Sequence, residues 1–520
     1  MSILEEKGKV EINISPVENF AKLDTVISPS GNIVHIAHDD AHLDKALEFA
    51  KIHGHTEVSK EEDEKLRWKL DLIIIPLFSF LYMNQFMDKT GISFASIMGI
   101  QKDYNMKGQM YSWTTSGFYL GYIFGSPFAA IILQKVPTIK FISCTIILWG
   151  IIQCLHCIPK TYAAFMFLRT FLGFLESFVA PIFMIILNQY YSHNEHFGRT
   201  GIFYGFNGLG TIFLSSISSA LYKHSKEYSI SGYKVLFLIV GLMTIFNGLL
   251  ILIIMPNTPT EARWLTEREK EIVIERIRHN NQGFGNKKFK INQAKEVIKD
   301  PRTYIYFLLS LSVAIPNGGV SSFGTLILKS FGYSTLKSLL MKMPVGGIEL
   351  LGLIILPLIT KFIKYRMAIA IFYMCIVLTM CCLLAFSNNT HAELVGYWIM
   401  GISPIGIILI TSCVTSNTAG FTKKLVTNAI TLIGYSAGNV IGPQTFRSTD
   451  APKYNNAKAG TVGCYCASII LMSILTAYNI YENKRRDKQR VKEGDNYVIP
   501  DNLEFADLTD FENPEFRYRV

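Results

Sequence analysis

The chain alternates between two textures. Apolar runs of about twenty residues, long enough to cross a bilayer as helices, recur twelve times. They fall at 70–90, 111–133, 139–158, 162–187, 201–222, 233–255, 303–328, 343–363, 367–386, 394–416, 425–446 and 459–481. Short polar connections separate most of them. Three polar segments are long: residues 1–67, 256–302 and 482–520. This pattern predicts an all-α, polytopic membrane protein. An even number of spans puts both termini on one side of the bilayer. The central polar segment divides the spans six and six, which predicts two six-helix bundles over 68–255 and 303–481.

Composition agrees with the pattern. Half of the residues are apolar and only 17% are charged, against about 25% in an ordinary soluble domain. The formal net charge of +10 would suit a nucleic-acid partner, but the Lys and Arg residues sit in loops between apolar runs. The 256–302 loop holds eleven of them, the tail adds "NKRRDKQRVK", and the 387–393 loop has none. The positive-inside rule therefore predicts that both termini and the central loop are cytosolic. The nine cysteines fall almost wholly within apolar runs and read as small core residues, not a disulfide framework. The N-terminus starts with acids and has no secretory apolar core, so span one is expected to serve as the insertion signal.

Within the central loop, Thr266 to Glu269 ("TERE") reads as a capping box. A helix follows with Val273 and Ile277 on one face, suited to packing on the cytosolic ends of the spans. The first 67 residues are expected to lack a fold of their own, apart from a short helix in "HLDKALEFAKIHG". No Walker A, HExxH, kinase or hydrolase signature is present, which argues against an enzyme. The pair Cys154 and Cys157 in "CLHC" lacks a second half for a metal site. With no nucleotide site, movement of a small molecule would draw on a gradient, without a cofactor.

The chemistry that stands out is charge inside apolar runs. In "RTFLGFLESFVAP", Arg169 and Glu176 lie seven residues apart, so they project from nearly the same face about 10 Å apart along the axis. Gly173 between them leaves room for a small ligand or another helix. A charge at the centre of a bilayer helix costs about 2.5–3.5 kcal/mol on insertion scales. Each residue must therefore pair with another helix or face an aqueous cavity. Asp88 and Lys89 close the first window in "NQFMDKTGISFASIMG". They would lie at a wet helix end, or inside a span that runs on past its apolar window. Asp71 and Glu349 are weaker candidates. Span seven carries "IPNGGVSSFG", where Pro316 removes a backbone donor and Gly318 and Gly319 permit unusual dihedrals. A helix break and gating hinge are expected there, or else close glycine packing. Asn317 in the same stretch is a candidate substrate contact. Span eleven has a similar run in "GYSAGNVIGPQ".

Several segments together resemble the fungal allantoate permease family, in the anion:cation symporter branch of the major facilitator superfamily. They are "FMDKTGISFASIMG", "LRTFLGFLESFVAP", "YYSHNEHFGRTGIFYGFNG", "LFLIVGLMTIFNG", "MPNTPTEARWLTEREKEIVIERIRHNNQG", "IPNGGVSSFG", "GPQTFRSTDAPKY" and "DLTDFENPEFRY". The resemblance implies a symporter that imports a small organic anion with protons by alternating access. Allantoate, a ureido acid or a carboxylate vitamin would be its substrate. It implies Asp88 and Glu176 as proton carriers and Arg169 as the contact for the substrate anion. Lys89 matches a neighbour that is usually arginine. Carriage of thiamine, cysteine or dipeptides is the alternative, as is a nutrient-sensing transceptor. A monomer in the plasma membrane is expected, with the endoplasmic reticulum as the other possible location. The sequence departs from the branch in span two. Ser126 and Pro127 stand where an acid before a proline is common, and the next loop keeps only Lys135 and Lys140.

Overall fold

The computed structural model describes residues 25–27, 33–35, 58–133, 136–225, 227–278, 290–362, 366–493, 508–513 and 515–520. The helix expected in "HLDKALEFAKIHG", and Lys135, lie outside these residues. Thr25–Ile27 and Ile33–His35 pair as a short antiparallel ribbon. Every other regular element among the described residues is helical. Nine helical stretches among the described residues are long and apolar enough to cross a membrane. Spans two (Met110–Ile132), five (His193–Lys223) and eleven (Phe421–Thr445) complete the twelve. These three carry more hydroxyls and glycines because they pack across the contact between the bundles, two against eleven and five against eight.

Span one is longer than its apolar window. It runs as a single helix from Lys60 to Met98, so Asp88 and Lys89 lie inside it and not at a wet end. Ser59 and Glu62 cap its start reciprocally, and three acids in its first turn complement the helix dipole. Span four is broken into Tyr162–Glu176 and Val179–Tyr190. Pro181 explains the break: it has no N–H for the Ser177 carbonyl four residues earlier, and its ring crowds that carbonyl. Span ten is likewise divided, at Met400–Ile402 before Pro404.

The break expected in span seven is absent. Its helix is continuous from Pro301 to Ser330 through Pro316, Gly318 and Gly319. The glycines serve close approach instead. A Cβ on Gly318 would stand 2.8 Å from the Asn439 Cα, and one on Gly319 would enter the Phe446 ring. Gly173 does the same in span four, where a Cβ would collide with the Phe118 carbonyl of span two. The space beside it is filled by a helix, not by a ligand.

The start of span one, the two helices of the central loop and the described residues of the C-terminal tail gather on one face, here the loop face. The capping box at Thr266 and Glu269 is formed, and the helix Glu267–Arg278 follows. This helix is tied to the first bundle. Lys69 meets Glu269 at 2.7 Å, and Arg276 meets Glu195 at 2.7 Å and Asp63 at 3.0 Å. The second loop helix, Ile291–Lys299, is tied to the other bundle. Lys423 of span eleven meets Glu296 at 2.6 Å, and Gln293 accepts from the Thr422 amide. The chain end adds to this second anchorage: Asp510 pairs with Lys423 at 2.7 Å, and Arg486 donates to the Asp510 and Phe516 carbonyls.

The opposite, far face is where the bundles bond to each other. Ser93 of span one meets Thr325 of span seven at 3.2 Å. Tyr111 donates to the Ser322 carbonyl at 2.7 Å. Ser116 donates to the Val440 carbonyl at 2.8 Å, and Gln444 donates to Ser116 at 2.9 Å.

Candidate functional site: a buried four-charge cluster

Four charged side chains meet inside the first bundle at mid-depth. Span one contributes Asp88 and Lys89, and the first half of span four contributes Arg169 and Glu176. Asp88, Arg169 and Glu176 are at most 1% exposed. Arg169 donates to Asp88 Oδ1 at 3.1 Å. The indole Nε1 of Trp149 in span three donates to Asp88 Oδ2 at 2.7 Å. Both oxygens of Asp88 are thus engaged by charge-assisted or direct hydrogen bonds.

Glu176 is held quite differently. Lys89 Nζ lies 3.7 Å from its Oε1, beyond hydrogen-bond distance. Among the described residues neither carboxyl oxygen has a partner at hydrogen-bond distance, although the Gln85 side chain of span one lies beside the carboxyl. Glu176 is also the last residue of its helical piece, just before the break that Pro181 imposes. Protonating Glu176 therefore breaks no hydrogen bond, whereas protonating Asp88 would weaken two. Among the described residues Nε of Arg169 has no partner either, so the guanidinium keeps a donor in reserve while bound to Asp88.

The cluster is lined by aromatic rings. Arg169 lies 5.9 Å from the Phe118 centroid and Lys89 5.7 Å from that of Tyr119, both on span two, within cation–π range. From the second bundle, Asn317 donates to Asn439 Oδ1 at 3.1 Å and to the Tyr435 hydroxyl at 3.4 Å. Asn317 thus belongs to a polar group on spans seven and eleven and is not bonded to the four charges. Asp71 lies elsewhere: it forms a two-pronged pair with Arg199, both contacts at 2.9 Å, and ties span one to span five. Cys154 and Cys157 point their thiols at the Leu238 and Lys234 carbonyls.

Sequence reasoning missed Trp149. Being the one tryptophan of span three was its only signal, and nothing in the local pattern names its acceptor. Tyr119 was missed as one aromatic residue among several in span two, and Tyr435 as a tyrosine whose partner Asn317 lies on another helix.

Residues 78–443 match the Major Facilitator Superfamily. The allantoate permease of Saccharomyces cerevisiae is 43% identical, over 99% of this chain and 98% of its own length. A thiamine pathway transporter of the same yeast is 32% identical, over 91% and 89%. A bacterial homolog of the human lysosomal transporter Spinster, solved inward-facing and unoccupied, shares the fold with a TM-score of 0.55. That structure is 15% identical over 78% of this chain and 95% of its own length.

Proposed function

From the premise that this chain belongs to the Major Facilitator Superfamily, among the fungal allantoate permeases and their relatives, we propose that it is a proton-coupled importer of a small organic anion. The observation that carries this is the charge balance of the buried cluster. Two acids, Asp88 and Glu176, face two bases, Lys89 and Arg169. With all four ionised, the site is neutral. Adding a proton to Glu176 leaves one positive charge in excess, which a substrate monoanion would neutralise. A proton and an anion therefore load together, and neither loads cheaply alone, because an uncompensated charge at membrane depth is costly. Arg169 supplies a planar fork for a carboxylate. The same balance disfavours a cationic substrate, for which the cluster holds no spare negative charge.

The loop face is the cytosolic face in this scheme, since it carries the basic central loop and tail. The permease named for allantoate makes a ureido acid the first substrate to try. The plasma membrane is the location that suits uptake.

Glu176→Gln tests the coupling. The amide keeps the shape but cannot release a proton. In reconstituted vesicles this variant is expected to exchange allantoate at equal concentrations on both sides, and to lose accumulation driven by external acid. Retained acid-driven accumulation would remove Glu176 from the proton path.

A further inference from the structure

Span eight buries two charges that the scheme above does not use. Lys342 lies in the turn between its two helical pieces, Thr335–Leu340 and Met343–Phe362. Glu349 lies seven residues on, nearly two helical turns deeper. They are 5% and 2% exposed. Each also reaches a residue of the first bundle. Lys342 Nζ donates to Ser93 Oγ of span one at 3.3 Å, and also to the Ser321 carbonyl of span seven at 3.4 Å. Its ammonium lies 4.7 Å from the Phe94 ring of span one. Glu349 faces Asn207 of span five, and Tyr373 of span nine lies within its field. Oε1 of Glu349 and Oδ1 of Asn207 both lack a hydrogen-bond partner.

These contacts sit on the far-face seal. Ser93 is its node: the hydroxyl that receives Lys342 also meets the Thr325 hydroxyl at 3.2 Å and receives the Thr325 amide at 3.3 Å. Between Lys342 and Glu349, Gly346 touches Gly208 of span five so closely that a Cβ on either would enter the other's carbonyl oxygen. The two charges thus flank the point where the bundles cross.

Among the described residues no carboxylate comes within ion-pair distance of Lys342. An ammonium held by one hydroxyl and one carbonyl, and a carboxyl with an open oxygen, are each expensive to bury alone. Buried together on one helix, each lowers the cost of the other, because their attraction is weakly screened there. Once the bundles part on the far face, water reaches both and that mutual help is no longer needed.

We propose that Lys342 and Glu349 form a gate couple: two positioning residues whose opposite charges are buried together as the far-face seal closes, and whose balance sets how often it opens. This rests on the alternating-access scheme above, but not on which ion or substrate moves. Removing one charge strands the other in the closed state, so the open state gains. Removing both charges restores the balance.

The test uses the purified full-length protein in lipid nanodiscs. Ser96→Cys serves as reporter, since the Ser96 hydroxyl meets that of Thr325 across the seal at 3.4 Å and the residue is 7% exposed. Its alkylation by a maleimide is read against the same protein with Ser96 intact. Lys342→Met and Glu349→Gln are each expected to raise the reporter rate about fivefold or more, within the usual range of coupling between two states. The double variant should return to near the parent rate. If a single variant fails to fold while the double folds, the balance is again what matters. Unchanged rates in the single variants, effects that add in the double, or a double that fails to fold would each overturn the proposal. The assay needs neither substrate nor gradient. A Glu176→Gln variant that still accumulates allantoate would therefore sink the proton scheme and leave this result standing.

Discussion

At the scale of single residues, the two acids of the cluster are unequal in a way that assigns them different work. Asp88 is fixed by Arg169 and Trp149, while Glu176 has the Lys89 ammonium at 3.7 Å and, among the described residues, no partner at hydrogen-bond distance. Asp88 therefore holds the guanidinium in place, and Glu176 is left to exchange its proton. Arg169→Lys keeps the charge but loses the fork, so a single ammonium must serve both Asp88 and the substrate anion. Uptake of allantoate at limiting concentration is expected to fall about a hundredfold, the loss of one charge-assisted bond of up to 3 kcal/mol, with the protein still folded. Uptake by the Lys variant with unchanged affinity would make Arg169 a structural residue. Arg169 and Glu176 were legible in the sequence as charges inside an apolar run, which must pair or face water, whereas Asp88 and Lys89 also fitted a wet helix end. The pairing of Arg169 with Asp88 was not legible, since the partners are 81 positions apart.

At the scale of the helix, two prolines inside spans behave differently, and neighbours decide between them. Pro181 accompanies a break in span four, whereas span seven passes through Pro316 unbroken. The difference lies in packing: span seven is pressed against span eleven at Gly318 and Gly319. Span four is pressed against span two before its break, at Gly173. This contact places Arg169 and Glu176 at their depth. Gly173→Ala would force the two helices apart and is expected to cost about 1–3 kcal/mol, as overpacking does. The check is thermal unfolding in detergent, where the variant should melt below the parent. An unshifted transition would show that the two backbones are not in contact at that point.

At the scale of the molecule, the central loop is two anchors, not one strap. Glu267–Arg278 is tied to the first bundle by Lys69, Glu195 and Asp63, and Ile291–Lys299 to the second by Lys423 and Thr422. Each bundle thus carries its own brace on the loop face, while the bonds between bundles gather on the far face. That division suits two bodies that rock about their contact. The orientation of the whole is open to direct measurement. A protease-cleavable tag inserted beside Gly285 should survive protease added to intact cells and be cut once the cells are opened. Cleavage in intact cells would reverse the assignment of the loop face to the cytosol.

The sequence by itself determined the twelve spans, their division six and six, the capped loop helix and the residues that carry charge into the membrane. Each of these follows from a local cause: a run of twenty apolar residues has nowhere to go but the bilayer, and Thr266 and Glu269 cap a helix across three positions. Only the tertiary structure decided that Asp88 lies within a helix reaching Met98, that Trp149 completes its hydrogen bonds, and that Lys342 of one bundle rests on Ser93 of the other. These depend on which faces of distant helices meet. That choice is made by glycine contacts and buried polar atoms seeking partners, which no window along the chain contains.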